Sequence, residues 1–328
     1  MKKTLLLFGS CIIFAFGCNK TAPTEETPDT VIADAAVATN GLRQCGAQEV
    51  LERQLREDPS LASRMNDIEN FTTAFERNPS LNRLVNGVIE IPVVVNVLYK
   101  TSAQNISDAQ INSQITVLNS DFQALNADYD STPAIFQSVR SGNTNVRFVL
   151  DKVVRKATSK SSWSTNDAMK KNASGIVPTS PATKLNLWVC NLGGGILGYA
   201  QFPGGSSATD GVVIDDNAFG STGTVSVPYH KGRTATHEVG HWLNLRHIWG
   251  DANCGSDLVG DTPAHNTANY GCPAYPHYST CPGLPVEMTM NYMDYTDDAC
   301  MYMFSIGQKT RMQAVFAAGG PRNSFAQP

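Results

Sequence analysis

Stretches of apolar, β-branched residues along this chain predict several buried strands. The longest covers residues 88–99 and is dominated by valine and isoleucine. Shorter runs of the same kind lie at 145–154, 184–190 and 211–215. Residues 198–202 form a short segment between glycine clusters, which is typical of a strand at the edge of a sheet.

Helical periodicity appears between and after these strands. Ser107 to Gln110 fits a capping box, and the helical period behind it is carried by Ile111, Ile115, Leu118, Phe122 and Leu125. A second helix is predicted from about Arg233 and a last one from near Ser305. The order strand, helix, strands, helix predicts a fold of the α/β (α+β) class.

The helix predicted from Arg233 carries a specific arrangement of histidines. His237 and His241 lie four positions apart, so their imidazoles project from one helix face and suit two nitrogen ligands of one zinc ion. His247 reaches the same ion only if the helix ends near Asn244 and the chain turns back. Asparagine is, after glycine, a good occupant of the left-handed conformation that such a turn needs.

Glu238 lies beside the first histidine, where its carboxylate can act on a metal-bound water instead of occupying the metal. Three neutral imidazoles leave zinc one open position, as in a catalytic site. We therefore expect Glu238 to act as general base and then to pass the proton to a leaving amine. A helix with single surface histidines is the ordinary alternative. Three histidines and a glutamate at these spacings are, however, uncommon.

The same residues resemble the extended zinc motif of the metzincin metalloproteases, which is followed by a methionine turn. That turn corresponds to Asn291–Tyr295, and the longer stretches 237–250 and 290–308 resemble the pappalysin family. The resemblance covers residues from about 88 to 320. It implies a metzincin-type zinc protease with a five-stranded mixed sheet, an active-site helix and an irregular C-terminal subdomain that contains the methionine turn.

The resemblance also implies roles for individual residues. Tyr295 would hydrogen-bond the tetrahedral intermediate, and Met293 would form an apolar floor beneath the histidines. Gly198 and Ala200, on the predicted edge strand, would contact the backbone of an extended substrate. Ordinary core packing for Met293 and a plain sheet edge for 198–202 are the alternatives.

Asp298 would line the pocket for the side chain that follows the scissile bond. A carboxylate there takes an arginine guanidinium in a bidentate pair, which a lysine ammonium matches less well. The expectation is cleavage before arginine, with lysine second. One alternative is that the neighbouring Asp297 lines this pocket. The other is that both acids merely face solvent.

The loop after the zinc helix contains Asp257, Asp261 and Thr262, whose oxygen atoms suit calcium. The pappalysin resemblance supports a structural calcium site there, and simple solvation of the acids is the alternative. The loop also contains Cys254, Cys272, Cys281 and Cys300, which allow three pairings by sequence alone. The resemblance implies Cys254–Cys281 and Cys272–Cys300.

The N-terminus predicts export. Two lysines precede an apolar run of 13 residues, too short to span a bilayer but suited to a signal peptide over residues 1–18. The end of this run resembles a bacterial lipoprotein cleavage site, with Cys18 then lipidated and the protein anchored to the outer membrane. Phe16 departs from that pattern, so an ordinary signal of a secreted protein is the alternative.

Residues 19–87 predict a polar tether followed by a helical prosegment, and 88–328 the catalytic domain. Within the prosegment, Cys45 precedes a glycine and has no evident disulfide partner. A thiolate is a good zinc ligand, so Cys45 is predicted to bind the zinc in a latent form. An unpaired exported cysteine without a role is the alternative, and Cys190 is predicted to be a buried free thiol.

Composition narrows the function further. The chain has 328 residues and a formal net charge of −4, which gives no reason to expect nucleic acid as a partner. We expect peptide or protein substrates, and membrane association only through a lipid on Cys18. The main alternatives are a zinc hydrolase of non-peptide substrates and a surface-attached binding lipoprotein with a degenerate protease domain.

Overall fold

A computed structural model describes residues 41–78, 87–171 and 173–325. Five strands form one sheet in the order β2-β1-β3-β5-β4. The strands are β1 Ile89–Tyr99, β2 Val146–Ala157, β3 Leu185–Cys190, β4 Gly198–Ala200 and β5 Val212–Asp215. Three of the four strand pairings are parallel, and the fourth, between β4 and β5, is antiparallel. The predicted five-stranded mixed sheet, with β4 at its edge, is confirmed.

Five α-helices accompany the sheet in the described residues: α1 Ala47–Glu57, α2 Ser60–Arg77, α3 Asp108–Phe122, α4 Arg233–Trp242 and α5 Ile306–Ala314. The predicted leader with Cys18 and the tether up to residue 40 lie outside the described residues. No helix in the described part of the chain is long and apolar enough to cross a membrane.

The predicted course of α3 is correct at its start and wrong at its end. The Ser107 hydroxyl accepts a hydrogen bond from the Gln110 backbone N–H at 3.1 Å, but the Gln110 side chain donates instead to the carbonyl of Phe219. Leu125 does not belong to the helix and is 72% exposed. The helix stops at Phe122 because Ala124 adopts a left-handed conformation, with φ +55°.

The core lies between the sheet and the helices α3 and α4. Alternate valines of β1 are fully buried there against Trp242 of α4 and Phe122 of α3. Of the predicted prosegment helices, α1 packs on the edge strand, where Val50 belongs to a cluster with Tyr199 of β4. Helix α2 packs instead against α1 and α5.

The segment 243–305 is described throughout and contains no helix or strand. Two disulfides hold it, Cys254–Cys281 and Cys272–Cys300. This is the irregular C-terminal subdomain that the resemblance implies. Cys190, on β3, is buried and not disulfide-bonded, as predicted.

Candidate metal centre and substrate cleft

Three histidine side chains converge near the end of α4. The Nε2 atom of His241 lies 3.1 Å from that of His237 and 3.1 Å from that of His247. All three residues are buried. Burial lowers the pKa of His237 well below its usual value and that of His241 to about 3, so both rings are held neutral. Neutral imidazoles with converging nitrogens are what a metal ion requires.

Each imidazole is oriented by an acceptor at its other ring nitrogen. The two histidines of α4 donate from Nδ1 to the carbonyl oxygens of Tyr292 and Leu245, at 2.7 and 2.8 Å. His247 donates from Nδ1 to the carboxylate of Asp251 at 2.5 Å. Because these acceptors keep the proton on Nδ1, every Nε2 lone pair remains available for a metal.

The turn that returns His247 to the cluster begins where α4 ends. Asn244 adopts the left-handed conformation there, with φ +72°. Beneath the helix, a Cβ at Gly240 would lie 2.5 Å from the sulfur of Met293. Only glycine therefore allows Met293 to pack under the helix between the two histidines, and the methionine is fully buried.

Cys45 and Glu238 meet at the histidines. The Cys45 thiol donates to a Glu238 carboxylate oxygen at 3.4 Å. Together with the three histidine nitrogens, the sulfur belongs to a group of potential ligand atoms within 4.8 Å of one another. Burial raises the pKa of Glu238 to about 8 and that of Cys45 well above its usual value. A divalent cation would favour the charged form of both groups, so this set of side chains fits a metal ion.

The backbone around Cys45 runs parallel to β4 and forms a single bridge with it at Gly198. Gly46 donates its N–H to the carbonyl of Gly198 at 2.9 Å. The Tyr295 hydroxyl donates to the carbonyl of Cys45 at 3.3 Å. A Cβ at Gly198 would lie 2.9 Å from Cγ of Glu238, so a side chain there would displace the glutamate. The segment thus covers the edge strand, Tyr295 and Glu238 at once.

The two residues predicted to contact the substrate, Gly198 and Ala200, differ in their pairing. Ala200 is buried and pairs with Val212 of β5. Gly198, in contrast, pairs both with β5 and with the segment at Cys45. The edge of β4 that faces away from β5 is therefore paired at Gly198 with the Cys45 segment, which an extended chain would have to replace.

Asp298 forms one wall of a closed pocket that Arg43 fills. Nη2 of Arg43 lies 2.6 Å from Oδ1 of Asp298, and the two side chains are 1% and 0% exposed. Arg43 also donates to the Thr234 hydroxyl at 3.2 Å and to the carbonyl of Thr296 at 3.1 Å. Its guanidinium lies 4.9 Å from the centre of the Tyr229 ring. The pocket therefore provides charge, hydrogen-bond acceptors and an aromatic wall for a guanidinium.

The residues predicted to bind calcium form two separate sets of hydrogen bonds. The Thr262 hydroxyl donates to Asp257 at 2.9 Å. Asp261 instead accepts hydrogen bonds from the Ser305 hydroxyl at 2.6 Å and the Gly307 N–H at 2.8 Å, at the start of α5. Calcium binding by Asp257, Asp261 and Thr262 stays a prediction.

Comparison with known proteins identifies the family. The family model described as pregnancy-associated plasma protein-A, a peptidase family, matches residues 188–317. An extracellular metalloprotease of Arthroderma otae is 30% identical over 260 residues, which cover 76% of this chain and 86% of the relative. The chain belongs to this pappalysin family of metalloproteases. A second relative, an extracellular metalloprotease of Pyricularia oryzae, is 44% identical, and the match spans 48% of its length and 40% of this chain.

Solved structures agree with the family assignment. Mature mirolysin of Tannerella forsythia, in complex with a cleaved peptide, is 46% identical with a TM-score of 0.70, and the match covers 73% of this chain and 95% of that one. A mutant of Tannerella forsythia promirolysin is 43% identical with a TM-score of 0.78, covering 86% and 97%. This metalloprotease therefore shares the fold of mirolysin. Its relatives are named extracellular metalloproteases, which supports export, and its cluster of histidines and Cys45 suits a catalytic metal.

Sequence reasoning did not identify two functional residues. Arg43 was not assigned to the Asp298 pocket, although it lies two positions before Cys45 and carries the complementary charge. Asp251 has no role in the interpretation of the sequence, and yet it accepts the hydrogen bond that orients His247. Its position four residues beyond His247 was the available signal.

Proposed function

We propose that this metalloprotease is an exported zinc endopeptidase made as a latent precursor. In this proposal residues 88–328 form the catalytic domain and 19–87 the tether and prosegment. The observation that supports latency is that one segment places Cys45 at the histidine cluster and Arg43 at Asp298. The broader match to promirolysin, 86% of the chain against 73% for mature mirolysin, supports a prosegment.

The proposed zinc ligands are His237, His241 and His247, with Cys45 as a fourth ligand in the latent form. Zinc, when bound, would polarise the scissile carbonyl and lower the pKa of a water molecule toward about 7. Cys45 then excludes water from the site until the prosegment leaves. Anchoring through a lipid on Cys18 remains part of the proposal, as does a calcium ion at the loop of Asp257.

Glu238 is the proposed general base. Its carboxylate lies beside the ligand atoms of the cluster, where it can take a proton from the attacking water. It then delivers this proton to the nitrogen of the leaving amine, which completes cleavage of the peptide bond. Tyr295, which now holds the carbonyl of Cys45, would donate its hydroxyl to the oxyanion of the substrate.

The proposed substrate is an extended peptide with arginine, or secondarily lysine, after the scissile bond. Its backbone would pair with β4 at Gly198 and Ala200. Its arginine would take the place that Arg43 occupies in the Asp298 pocket. The mirolysin structure with a cleaved peptide supports peptide substrates.

The Glu238→Gln variant tests the catalytic assignment. The precursor is processed by tagged wild-type enzyme, which is then removed, and zinc content and casein hydrolysis are measured with and without chelator. We expect full zinc content and a loss of turnover of about 10²-fold or more. Glu90→Gln, an exposed glutamate on β1, is the matched control. Near-native turnover of Glu238→Gln contradicts the role, and no hydrolysis by wild-type enzyme favours a binding lipoprotein.

A further inference from the structure

Arg53 of α1 reaches the catalytic domain, where two acceptors hold its guanidinium. Its Nη2 atom lies 2.5 Å from Oδ2 of Asp167 and 3.1 Å from the carbonyl oxygen of Thr165. The side chain of Asp167 is only 2% exposed, and that of Arg53 is 23% exposed. Arg53 is therefore a second prosegment arginine that binds an acidic receptor, besides Arg43.

The receptor is built entirely from catalytic-domain residues. The other oxygen of Asp167 accepts from the Lys170 ammonium at 2.8 Å and from the Tyr199 hydroxyl at 3.0 Å. Burial alone would raise the pKa of Asp167, but the cations of Lys170 and Arg53 hold it below its usual value. Lys170 and Tyr199 both belong to the catalytic domain, so the Asp167 carboxylate keeps these two partners when the prosegment leaves.

The receptor becomes accessible in the mature enzyme. A cavity of about 400 Å³ lies beside Arg53 and Asp167. Residues of α1 and α2 form one side of this cavity, and the segments 166–171 and 205–209 form the other. Removal of the prosegment therefore converts the cavity into an open depression that contains Asp167.

The position of Asp167 along the cleft follows from the path of the prosegment. Arg43 lies at Asp298, Cys45 lies at Glu238, and Arg53 lies at Asp167. Asp298 and Asp167 thus contact prosegment residues that lie on opposite sides of Cys45 in the sequence. If Asp298 receives the residue after the scissile bond, Asp167 faces the part of the substrate before it.

We propose that Asp167 and Thr165 form a second cation subsite, which binds an arginine or lysine side chain upstream of the scissile bond. The inference deepens the proposed function, because the direction of the substrate rests on the role of Asp298. Helix α1 advances about 1.5 Å per residue and a bound peptide about 3.3 Å. The eight residues from Cys45 to Arg53 therefore correspond to roughly three to five substrate positions.

Wild-type mature enzyme tests the proposal without any substitution. A peptide series keeps arginine after the scissile bond and scans arginine, lysine, glutamine and glutamate through positions three to five before it. We expect kcat/KM at one of these positions to be about fivefold higher for arginine than for glutamine, and lowest for glutamate. Equal values at every position overturn the proposal. A second series, varied only after the scissile bond, reports separately on the Asp298 pocket.

Variants then locate the subsite. Asp167→Asn should make the upstream arginine and glutamine peptides equivalent, whereas Asp151→Asn, a surface carboxylate on β2, should preserve the preference. Thermal unfolding and hydrolysis of the glutamine peptide report whether Asp167→Asn is folded, since Lys170 loses its partner in that variant. An upstream preference that survives in a folded Asp167→Asn enzyme also overturns the assignment.

Discussion

Nη2 of Arg43 and Oδ1 of Asp298 lie 2.6 Å apart although the residues are 255 positions apart in the sequence. The ion pair is closed to solvent on both sides. Removing one member of such a buried pair leaves an uncompensated charge, which costs about 3–5 kcal/mol. Arg43 thus occupies a pocket that is complementary to arginine. Under the proposed specificity, its segment has to leave before a substrate arginine can enter.

Replacing Arg43 by glutamine should weaken latency. Glutamine is neutral and leaves the Asp298 carboxylate without a counterion, so the covering segment is held less firmly. We expect the Arg43→Gln precursor to mature faster and to hydrolyse a short peptide before processing. The control is Arg56→Gln, because Arg56 is exposed on α1. A variant precursor that is folded and as latent as wild type contradicts this function of Arg43.

Replacing Cys45 by alanine should also hasten maturation. Alanine cannot ligate a metal or donate to Glu238, while Arg43 and the backbone pairing with Gly198 remain. Maturation is followed by gel electrophoresis over time. Cys190→Ala, which removes the other free thiol of the described residues, should mature at the wild-type rate. Unchanged kinetics in Cys45→Ala count against a metal-binding thiol.

Replacing Asp251 by asparagine should weaken metal binding without removing a ligand. The asparagine side chain is a poorer acceptor for the Nδ1 proton of His247, and such orienting groups typically contribute about 10- to 100-fold in metal affinity. Competition of the mature enzyme with a chelator of known affinity measures the change. Asp130→Asn, whose side chain is 93% exposed on the surface, is the control. Equal zinc retention in the Asp251 variant and the control would rule out this orienting role.

Local patterns predicted most of the fold because strands and helices follow from residue periodicity. The run over 88–99 became β1, and the histidine spacing placed α4 correctly. The end of α3 was wrong because the left-handed conformation of Ala124 has no signal in the hydrophobic period. The Gln110 side chain donates to the Phe219 carbonyl instead of completing the capping box. Only tertiary packing brings this carbonyl close, so the local sequence does not predict the contact.

The candidate site was predictable where it lies within one motif, and less so where distant segments meet. The histidines and Glu238 are neighbours on one helix and its following turn. The Arg43 contact with Asp298 and the Arg53 contact with Asp167 join the prosegment to remote loops. Charge alone does not reveal which of many arginines pairs with which acid.

If the Asp298 pocket selects the residue after the scissile bond, that residue becomes the N-terminus of the product. The most direct measurement is sequencing of the product N-termini after mature enzyme has digested a mixed peptide library. We expect arginine at most new N-termini and lysine second. The Asp298→Asn variant should lose the preference for both residues, whereas Asp297→Asn should retain it. Cleavage mainly before large apolar residues, or an unchanged arginine preference in Asp298→Asn, would contradict this role of the pocket.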